Sequence, residues 1–465
     1  MKPDIPTHDM TRHWQALDAA HHVHPFTDTA ALNREGVRVV TRGEGVYLWD
    51  SDGRKLIDGM AGLWCVQLGY GNAELAEAGY EALKTLPYCN HFFKTTNPWT
   101  VELAARLAQL LPEGHTRVLF ANSGSEANDS ALKLIRYYWN LKGRPKKKLH
   151  LSRDYSYHGV TMAAASLSGL TTMHPQWDLP FEGFEKVPAP YWFGALAAGY
   201  GEMGPDEFGI VVAHKLEEKI LALGPDRVAS FSAEPVQGAG GLIFPPATYW
   251  PEVQRICRKY DVLLHLDEVI TGFGRTGEWF GAQTYAIAPD IMTMAKGLSS
   301  GYQPISAISL GERMAQTILK ANEEMAHGFT YSGHPVACAV ALKNIEVIER
   351  LDLVARVKTA IGPYLQRRLR EVFADHPLVG EVRGLGLLAA IELVPDKAAR
   401  SFFPRDLDVG THCRDYCFNS GLMMRAIRDT MVLAPPLVIT ETEIEEIIAK
   451  AKDAIDRTAR DFGKM

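Results

Sequence analysis

The sequence predicts an α/β fold in which helices cover a mostly parallel sheet, joined to a smaller α+β unit. In the middle of the chain, short apolar runs alternate with segments of helical spacing, and such alternation builds parallel sheets buried on both faces. In the C-terminal third, longer helices surround a single apolar run, which indicates a different unit. The chain has 465 residues, of which 46% are hydrophobic, so apolar material suffices for a sizeable core.

The middle of the chain supplies the elements of the predicted parallel sheet. The predicted strands are the short apolar runs 117–120, 148–151, 228–231 and 262–266. The predicted helices, in which apolar residues recur every three or four positions, are 101–111, 125–139 and 249–260.

The two ends of the chain add further elements. Residues 46–58 carry a hairpin signal, because Ser51-Asp52-Gly53 has the composition of a tight turn between two strands. The elements predicted in the C-terminal third are helices at 336–351, 353–373 and 441–452 and a strand at 384–393.

Charge and cysteine content exclude several classes of function. The chain has 49 Lys and Arg against 55 Asp and Glu, a net charge of −6. It has no block of five or six basic residues, so nucleic-acid binding is not expected. Residues 1–6 lack an apolar leader core, and no run of about 18 apolar residues occurs, so no membrane segment is predicted. Six scattered cysteines do not form a disulfide framework, and we expect a cytoplasmic protein.

A first chemistry-bearing segment, residues 122–127, joins a predicted strand to a predicted helix. Its small residues expose backbone N–H groups, and a helix N-terminus favours an anion such as phosphate. The hydroxyl of Ser125 could add a hydrogen bond to that anion. The same pattern also suits a simple N-cap with Glu126 complementing the helix dipole, and both interpretations stay open at this point.

Asp267 and Lys296 each follow an apolar run, at the predicted carboxyl ends of two strands. Ligands of open α/β sheets bind at this edge. A lysine removed from water has a lowered pKa and becomes nucleophilic. The alternatives are a helix cap or salt bridge for Asp267 and a surface position for Lys296.

Residues 272–277 match the dinucleotide pattern G-x-G-x-x-G. The next residues, Glu278 and Trp279, make a poor helix start for a pyrophosphate, because an acid would lie at the phosphate end. An NAD-linked oxidoreductase is therefore a minor alternative.

Taken in order, the motifs of this chain resemble those of the class III aminotransferases, fold-type I enzymes that use pyridoxal 5′-phosphate (PLP). The motifs are Ser123-Gly124-Ser125-Glu126-Ala127, Tyr157-His158-Gly159, Glu234-Pro235-Val236-Gln237-Gly238, Asp267-Glu268-Val269, Lys296-Gly297 and Thr330. The resemblance is closer to the ω-transaminase (amine:pyruvate) subgroup. That likeness rests on residues 21–26, 58–65 and 92–96.

The resemblance implies a large domain with a mostly parallel seven-stranded sheet covered by helices, and a smaller α+β domain built from both chain ends. The expected boundaries are 1–70 for the N-terminal part of the small domain and active-site cover, 71–333 for the PLP-binding domain, and 334–465 for the C-terminal small domain. It also implies a homodimer with shared active sites, either alone or as a dimer of dimers.

The resemblance assigns roles to individual residues. Lys296 would bind PLP covalently and move the substrate proton, and Asp267 would pair with the pyridine nitrogen. The expected cofactor-binding set is Ser123, Gly124, Ser125, Tyr157, His158, Gly159, Glu234, Gln237, Asp267, Val269, Lys296 and Thr330, with Thr330 contributed by the partner subunit. His265 lies on the same strand face as Asp267, where it could hydrogen-bond that carboxylate or pack in the core.

Two departures from many relatives indicate the substrate. Val432 stands where many 2-oxoglutarate-using members carry an arginine, and Ala239 stands where many carry a glutamate. Arg425, on a loop expected to be flexible, would instead bind a carboxylate, with Arg428 as a nearby competitor. The expected substrate-binding residues are Phe26, Trp64, Phe92, Phe93, Tyr157 and Arg425.

These residues predict transfer of an amino group from a primary amine or ω-amino acid to pyruvate, giving alanine and a ketone or aldehyde, with an S preference suggested by the resemblance. Another PLP activity, an aminomutase or decarboxylase, and a catalytically silent binding protein remain alternatives. His21, His22 and His24 lie close together in sequence. Without clustered acids or cysteines nearby, no metal is expected there.

Overall fold

Three β-sheets organise residues 8–464, the part of the chain that this computed structural model describes. The strands are β1 (Val40–Glu44), β2 (Tyr47–Asp50), β3 (Lys55–Asp58), β4 (Arg117–Ala121), β5 (Leu149–Arg153), β6 (Phe184–Val187), β7 (Val228–Ala233), β8 (Leu263–Asp267), β9 (Ile291–Met294), β10 (Ser306–Leu310), β11 (Val379–Leu385), β12 (Leu388–Leu393), β13 (Leu422–Met423), β14 (Arg425–Ile427) and β15 (Thr430–Leu433). The segment 1–6, in which we expect no leader, lies outside the described residues.

The helices pack around these sheets. They are α1 (His8–His21), α2 (Thr29–Glu35), α3 (Ala61–Trp64), α4 (Ala73–Thr85), α5 (Pro98–Leu110), α6 (Gly124–Leu141), α7 (Met162–Leu167), α8 (Pro205–Leu223), α9 (Tyr249–Lys259), α10 (Gly281–Thr284), α11 (Glu312–Leu319), α12 (Pro335–Arg350), α13 (Leu353–Arg356), α14 (Gly362–Phe373), α15 (Val409–Asn419) and α16 (Glu441–Asp461). Within the described chain, none of these helices combines the length and the apolar character needed to cross a bilayer.

The central sheet has seven strands in the order β4-β10-β9-β8-β7-β5-β6. Only β10 runs antiparallel to its neighbours; the other ladders are parallel. Every residue of β7, β8 and β9 is buried, as expected where helices cover both faces. The predicted mostly parallel seven-stranded sheet is confirmed. It brings the carboxyl ends of β4, β7, β8 and β9 to one edge.

The two chain ends build the smaller α+β unit, as predicted. One sheet has the order β1-β2-β3-β13, so a strand from the C-terminal third lies parallel to β3. A second sheet has the order β11-β12-β15-β14. Val46 and Ile57 share an apolar core with Ile444 and Ile455 of α16. The boundaries after residues 70 and 333 stay a prediction.

Most predicted elements lie within three residues of the observed ones, and the hairpin at 46–58 is confirmed as β2 and β3. The strand predicted at 384–393 is confirmed from Leu388 to Leu393 as β12, but it is not one continuous strand. Its first two residues end β11, and the chain reverses at Gly386, whose φ of +57° suits glycine. The helix predicted at 353–373 is interrupted by a π-helical turn at Val357–Ile361. The helix predicted to end at 452 continues to Asp461.

Candidate active site

A pocket lies at the carboxyl edge of the central sheet, against the N-terminus of α6. It is lined by Gly124, Ser125, Asn128, Tyr157, His158, Gly159, Glu234, Asp267, Val269, Ile270, Ala295 and Lys296. Nine of these are residues that sequence reasoning selects, although they come from segments far apart in the chain. Asn128, Ile270 and Ala295 were missed.

Lys296 lies two residues beyond the end of β9, in a strained backbone conformation. Its φ is +48°, in the left-handed region that non-glycine residues rarely adopt and that often marks functional sites. The side-chain amide of Asn344 donates to the carbonyls of Gly297 and Leu298, at 2.8 and 3.0 Å, and so ties this turn to α12.

The amine of Lys296 is held away from bulk water. Burial lowers its pKa to about 8, although the neighbouring Cys65, Asp267 and Glu234 act to raise it. A substantial fraction of the amine is therefore neutral near pH 8, and a neutral amine can act as a nucleophile or as a base.

Asp267, the last residue of β8, carries a fully enclosed carboxylate. Its Oδ2 accepts hydrogen bonds from Nδ1 of His158 and Nδ2 of Asn128, both at 2.8 Å. Its Oδ1 accepts from the backbone N–H of Val269 at 3.1 Å. Burial acts to raise the pKa of Asp267, but the hydrogen bonds from His158 and Asn128 outweigh it, so this pKa lies below the usual value. The group stays ionised at neutral pH.

Asn128 is the functional neighbour that sequence reasoning did not find. Besides Asp267, its Nδ2 donates to the carbonyl of His158 at 2.6 Å, and its Oδ1 accepts from the hydroxyl of Thr293 at 2.8 Å. The one available signal was a polar residue on a helix face whose other members, such as Ala131, Leu132 and Ile135, are apolar and buried.

His265 does not bond to Asp267. Its two ring nitrogens lie 2.9 and 3.2 Å from the hydroxyls of Ser232 and Thr293. Burial lowers the pKa of His265 to about 3, so this ring is neutral. Of the two interpretations of His265, the structure supports core packing.

The N-terminus of α6 opens towards the pocket. Ser123 is the N-cap, and its hydroxyl accepts from the backbone N–H of Glu126 at 3.2 Å. The Glu126 carboxylate accepts from the backbone and the side chain of Asn122. The N-cap interpretation is therefore correct. It leaves the helix N-terminus free for an anion, because Glu126 is engaged by the preceding loop.

Ser125 and Gly159 face each other across this end of the pocket. The Ser125 hydroxyl accepts from the backbone N–H of Val160 at 3.1 Å. Gly159 has a φ of +131°, and a Cβ added there would lie 2.5 Å from Oγ of Ser125. A Cβ at Gly124 would meet both methyl groups of Val269 at 3.2 Å. Side chains at Gly124 and Gly159 would fill the space beside Ser125 at the N-terminus of α6, which we call the cradle.

Buried polar atoms without partners surround the same region. Oε1 of Gln237, Nε2 of His158 and Nε1 of Trp64 have no hydrogen-bond partner within residues 8–464. Buried polar groups are normally satisfied, so these atoms are candidates for contacts with a bound ligand. Nε2 of Gln237 donates to the carbonyl of Asp154 at 2.8 Å.

Glu234 supports the backbone of the pocket. Its carboxylate accepts from the backbone N–H groups of Tyr157 at 3.2 Å and Gly238 at 2.9 Å. Burial raises the pKa of Glu234, and burial likewise raises the pKa of Tyr157.

Trp64 lies beside the lysine, although it does not line the pocket itself. The centre of its ring is 5.3 Å from Nζ of Lys296 and 4.9 Å from Cζ of Arg425. Trp64 has a φ of +59°. The turn that presents it is stabilised by Asp58, whose carboxylate accepts from Met60, Gly62 and the Tyr70 hydroxyl.

The two candidate arginines differ in their surroundings. Arg428 donates to the carbonyl of Gly240 at 2.9 Å. Arg425 is partly buried and stacks over Trp64 without a carboxylate partner in the described part of the chain. The expectation that Arg425 lies on a loop is wrong: it begins β14 and pairs with Val432 of β15. Directly opposed residues of paired strands point to the same face.

Four predicted site residues are not brought to the pocket by this single chain. Phe26, Phe92 and Phe93 are 76%, 43% and 90% exposed, and Thr330 is also exposed. The backbone carbonyl of Thr330 accepts from the hydroxyl of Tyr88 at 3.0 Å.

The glycine-rich loop at 272–277 has a packing role. A Cβ at Gly274 would meet a methyl of Leu437 at 2.9 Å, and one at Gly277 would meet Cα of Lys358 at 2.8 Å. The helix that follows, α10, has only four residues. The glycines therefore permit close contact between the central domain and C-terminal residues, and the loop is not followed by the long helix of a dinucleotide site.

The sheet order, with a lysine and an ionised carboxylate meeting at its carboxyl edge, is that of a fold-type I transferase. The chain belongs to the class III aminotransferase family, whose model matches residues 30–455. It is therefore an aminotransferase.

Individual relatives cover almost the whole chain. A putrescine–pyruvate aminotransferase of Pseudomonas aeruginosa is 51% identical over 453 residues, covering 97% of this chain and 98% of the relative. The ω-transaminase of Pseudomonas jessenii, solved in complex with PMP, is 41% identical with a TM-score of 0.93, covering 97% and 99% of the two chains. An (S)-enantioselective ω-transaminase of Thermomicrobium roseum is 42% identical with a TM-score of 0.92, covering 96% and 98%.

Proposed function

We propose that this chain binds PLP through Lys296 and transfers the amino group of a primary amine, diamine or ω-amino acid to pyruvate, forming alanine and an aldehyde or ketone. The observation that carries the proposal is one pocket in which an amine with a pKa of about 8 lies near an ionised, buried Asp267. The name of the Pseudomonas aeruginosa relative supports the choice of a diamine donor and pyruvate.

The residues of the pocket fit PLP. Gly124 and Gly159 leave a cradle beside Ser125 at the N-terminus of α6, which suits a phosphate dianion. The unpartnered Oε1 of Gln237 suits a ring hydroxyl. Tyr157 and Val269 supply the aromatic and aliphatic surfaces that would enclose a flat ring.

PLP, when bound, supplies an electron sink that makes the C–H bond beside the substrate nitrogen acidic. Asp267 would keep a proton on the pyridine nitrogen of bound PLP, because its carboxylate stays ionised between His158 and Asn128. Lys296 provides the amine that accepts the proton from the substrate carbon and returns it. Its pKa of about 8 suits both directions of transfer near neutral pH.

Arg425 explains how one pocket takes both an amine and pyruvate. A partly buried guanidinium without a carboxylate partner is costly unless an anion joins it, and the carboxylate of pyruvate can accept its two parallel N–H bonds. Trp64 provides an apolar surface for the carbon chain of an uncharged donor. Because Arg425 lies on a strand, its side chain, rather than a loop, would turn between the two substrates.

A second copy of the chain would complete the site. The large exposed aromatic side chains of Phe26, Phe92 and Phe93 favour an interface, and the exposed Thr330 would contribute to the partner's pocket. We propose a homodimer on these grounds. The S preference and the cytoplasmic location stay predictions.

The test is alanine formation from pyruvate with putrescine, and separately with 1-phenylethylamine. Alanine should form with at least one donor, and a Lys296→Ala control should form none above background. Amine alone should convert the bound cofactor to its pyridoxamine form, and pyruvate should convert it back with one alanine formed per cofactor. These two half-reactions together distinguish a transaminase from a decarboxylase or an aminomutase. Equal rates for the wild type and Lys296→Ala would refute the proposal.

A further inference from the structure

A cluster of three metal-ligating side chains lies where helix α1 ends, outside the pocket. Nε2 of His24 is 2.8 and 2.9 Å from the two carboxylate oxygens of Asp18, and Nδ1 of His22 is 3.0 Å from Oδ1 of the same group. The rings of His22 and His24 contact each other, with their centres 4.1 Å apart. Asp18 therefore lies beside two of these histidines, and the sequence-based reason for expecting no metal there does not hold.

The arrangement follows from the helix and the turn after it. Asp18 and His22 are four residues apart, so one helical turn stacks them on the same face. The backbone N–H of His22 still bonds to the carbonyl of Asp18 at 2.9 Å. The chain then reverses so that His24 returns to the same carboxylate.

We propose that Asp18, His22 and His24 bind a zinc-like divalent transition metal ion. Two imidazoles and one carboxylate form a common ligand set for such ions, with a water molecule completing the coordination. All three ligand atoms lie within 4.8 Å of one another. Bonds of about 2.0–2.1 Å in a tetrahedral site place ligand atoms about 3.3 Å apart. The separations of 2.8–3.0 Å between each histidine nitrogen and the Asp18 carboxylate need only a small expansion.

The ion would join the segment after helix α1 to the helix itself, which the fold holds in place. Helix α1 is anchored by Thr11, whose hydroxyl donates to Ser51 at 2.8 Å, and by Gln15, whose amide donates to the carbonyl of Val37 at 2.9 Å. Asp18 lies on this anchored helix, and His22 and His24 follow its end directly, so one of the three ligands is held on a rigid element. The site lies two residues before Phe26, so metal binding would also restrain the segment that carries this exposed aromatic residue.

The experiment measures Zn²⁺ binding to the PLP-loaded full chain without a histidine tag, after a chelator and free PLP have been dialysed away. Calorimetric titration should detect one saturable site per chain. Asp18→Asn and His24→Ala should each weaken it about tenfold or more. The matched control is His21→Ala, an exposed neighbouring histidine outside the cluster, which should leave the affinity unchanged.

Cobalt substitution adds a second readout that adventitious surface binding would not give. Co²⁺ in the site should show visible absorption of a low-coordinate nitrogen–oxygen environment, absent in Asp18→Asn. Circular dichroism of the metal-free variants should match the wild type, which separates ligand loss from misfolding. Equal Zn²⁺ affinity in the wild type and Asp18→Asn, or no saturable site in the wild type, would overturn the proposal.

Discussion

Asn128 is the residue whose removal tests how the pocket keeps Asp267 ionised. The substitution Asn128→Leu keeps the approximate side-chain volume and removes the bonds to Asp267, to the carbonyl of His158 and to the hydroxyl of Thr293. Asn128 is almost fully buried, so water does not replace these partners freely.

The expected loss of unfolding free energy follows from the former hydrogen-bond partners of Asn128. A hydrogen bond to a charged group such as the Asp267 carboxylate contributes about 1.5–3 kcal/mol, and each buried neutral group left unpaired costs about 1–3 kcal/mol. The Thr293 hydroxyl keeps its contact with His265, so the lost bond to Asp267 and the unpaired carbonyl of His158 set the cost. We therefore expect the free energy of unfolding to fall by about 2.5–6 kcal/mol. If the hydrogen bond from Asn128 to Asp267 also stabilises the transition state, its removal should lower kcat/KM about 10–100-fold.

The loss of stability should also depend on pH. The folded-state pKa of Asp267 lies below its usual value. Its ionised form therefore contributes stability above the unfolded-state pKa of about 4, and that contribution is lost as pH falls through the folded-state pKa. Without Asn128 the folded-state pKa rises, so acid unfolding should begin at a higher pH.

The assays are urea unfolding and alanine formation with cofactor-loaded protein. The matched control is Gln254→Met, because Gln254 is also buried and its side chain makes two hydrogen bonds, to the carbonyl of Ala286 and the backbone N–H of Ala288, away from the pocket. This control should lose stability but keep kcat/KM within about threefold. Unchanged kcat/KM in folded Asn128→Leu, or an equal loss in both variants, would refute the reasoning.

Three further predictions concern the same pocket. PLP should incorporate into cofactor-free protein about five times faster at pH 8 than at pH 7, because the neutral fraction of Lys296, with its pKa of about 8, rises by that factor; a flat rate measured by absorbance from pH 6 to 8 contradicts this. Arg425→Ala should raise the KM for pyruvate about 10–100-fold with little change for an uncharged amine, whereas a larger effect of Arg428→Ala would assign the carboxylate to that residue. Gly159→Ala should weaken PLP binding about tenfold in equilibrium dialysis, because its Cβ would collide with a serine hydroxyl. Gly143→Ala, at a positive φ with open space around it, should not, and equal affinities in the two variants would contradict the proposed cradle.

The secondary structure could be predicted where the pattern was local. The apolar runs at 228–231 and 262–266 became buried strands, because a strand covered on both faces shows a continuous apolar run. The hairpin strand β11 was missed because it lacks such a continuous apolar run. Most of its residues are only partly buried, and polar positions such as Glu381 and Arg383 interrupt the apolar pattern.

The site residues, too, could be predicted where the signal was local and not where it depended on contacts distant in sequence. Lys296 and Asp267 could be selected because residues that follow apolar strands lie at the sheet edge where ligands bind. Asn128 could not, since its partners are 30 and 139 residues away in sequence. Asp18 was missed because an acid one helical turn before a histidine is common in surface helices, and only the return of His24 makes the pair a cluster.

The sequence by itself determined the type of fold, the family resemblance and the lysine–aspartate pair, because these depend on apolar periodicity and on the order of short motifs along the chain. Only the tertiary structure decided which groups surround that pair: the hydrogen bonds of His158 and Asn128 to Asp267, and the position of Arg425 over Trp64. These contacts join segments that are distant along the chain. Their existence depends on strand order and register, which a local pattern does not contain.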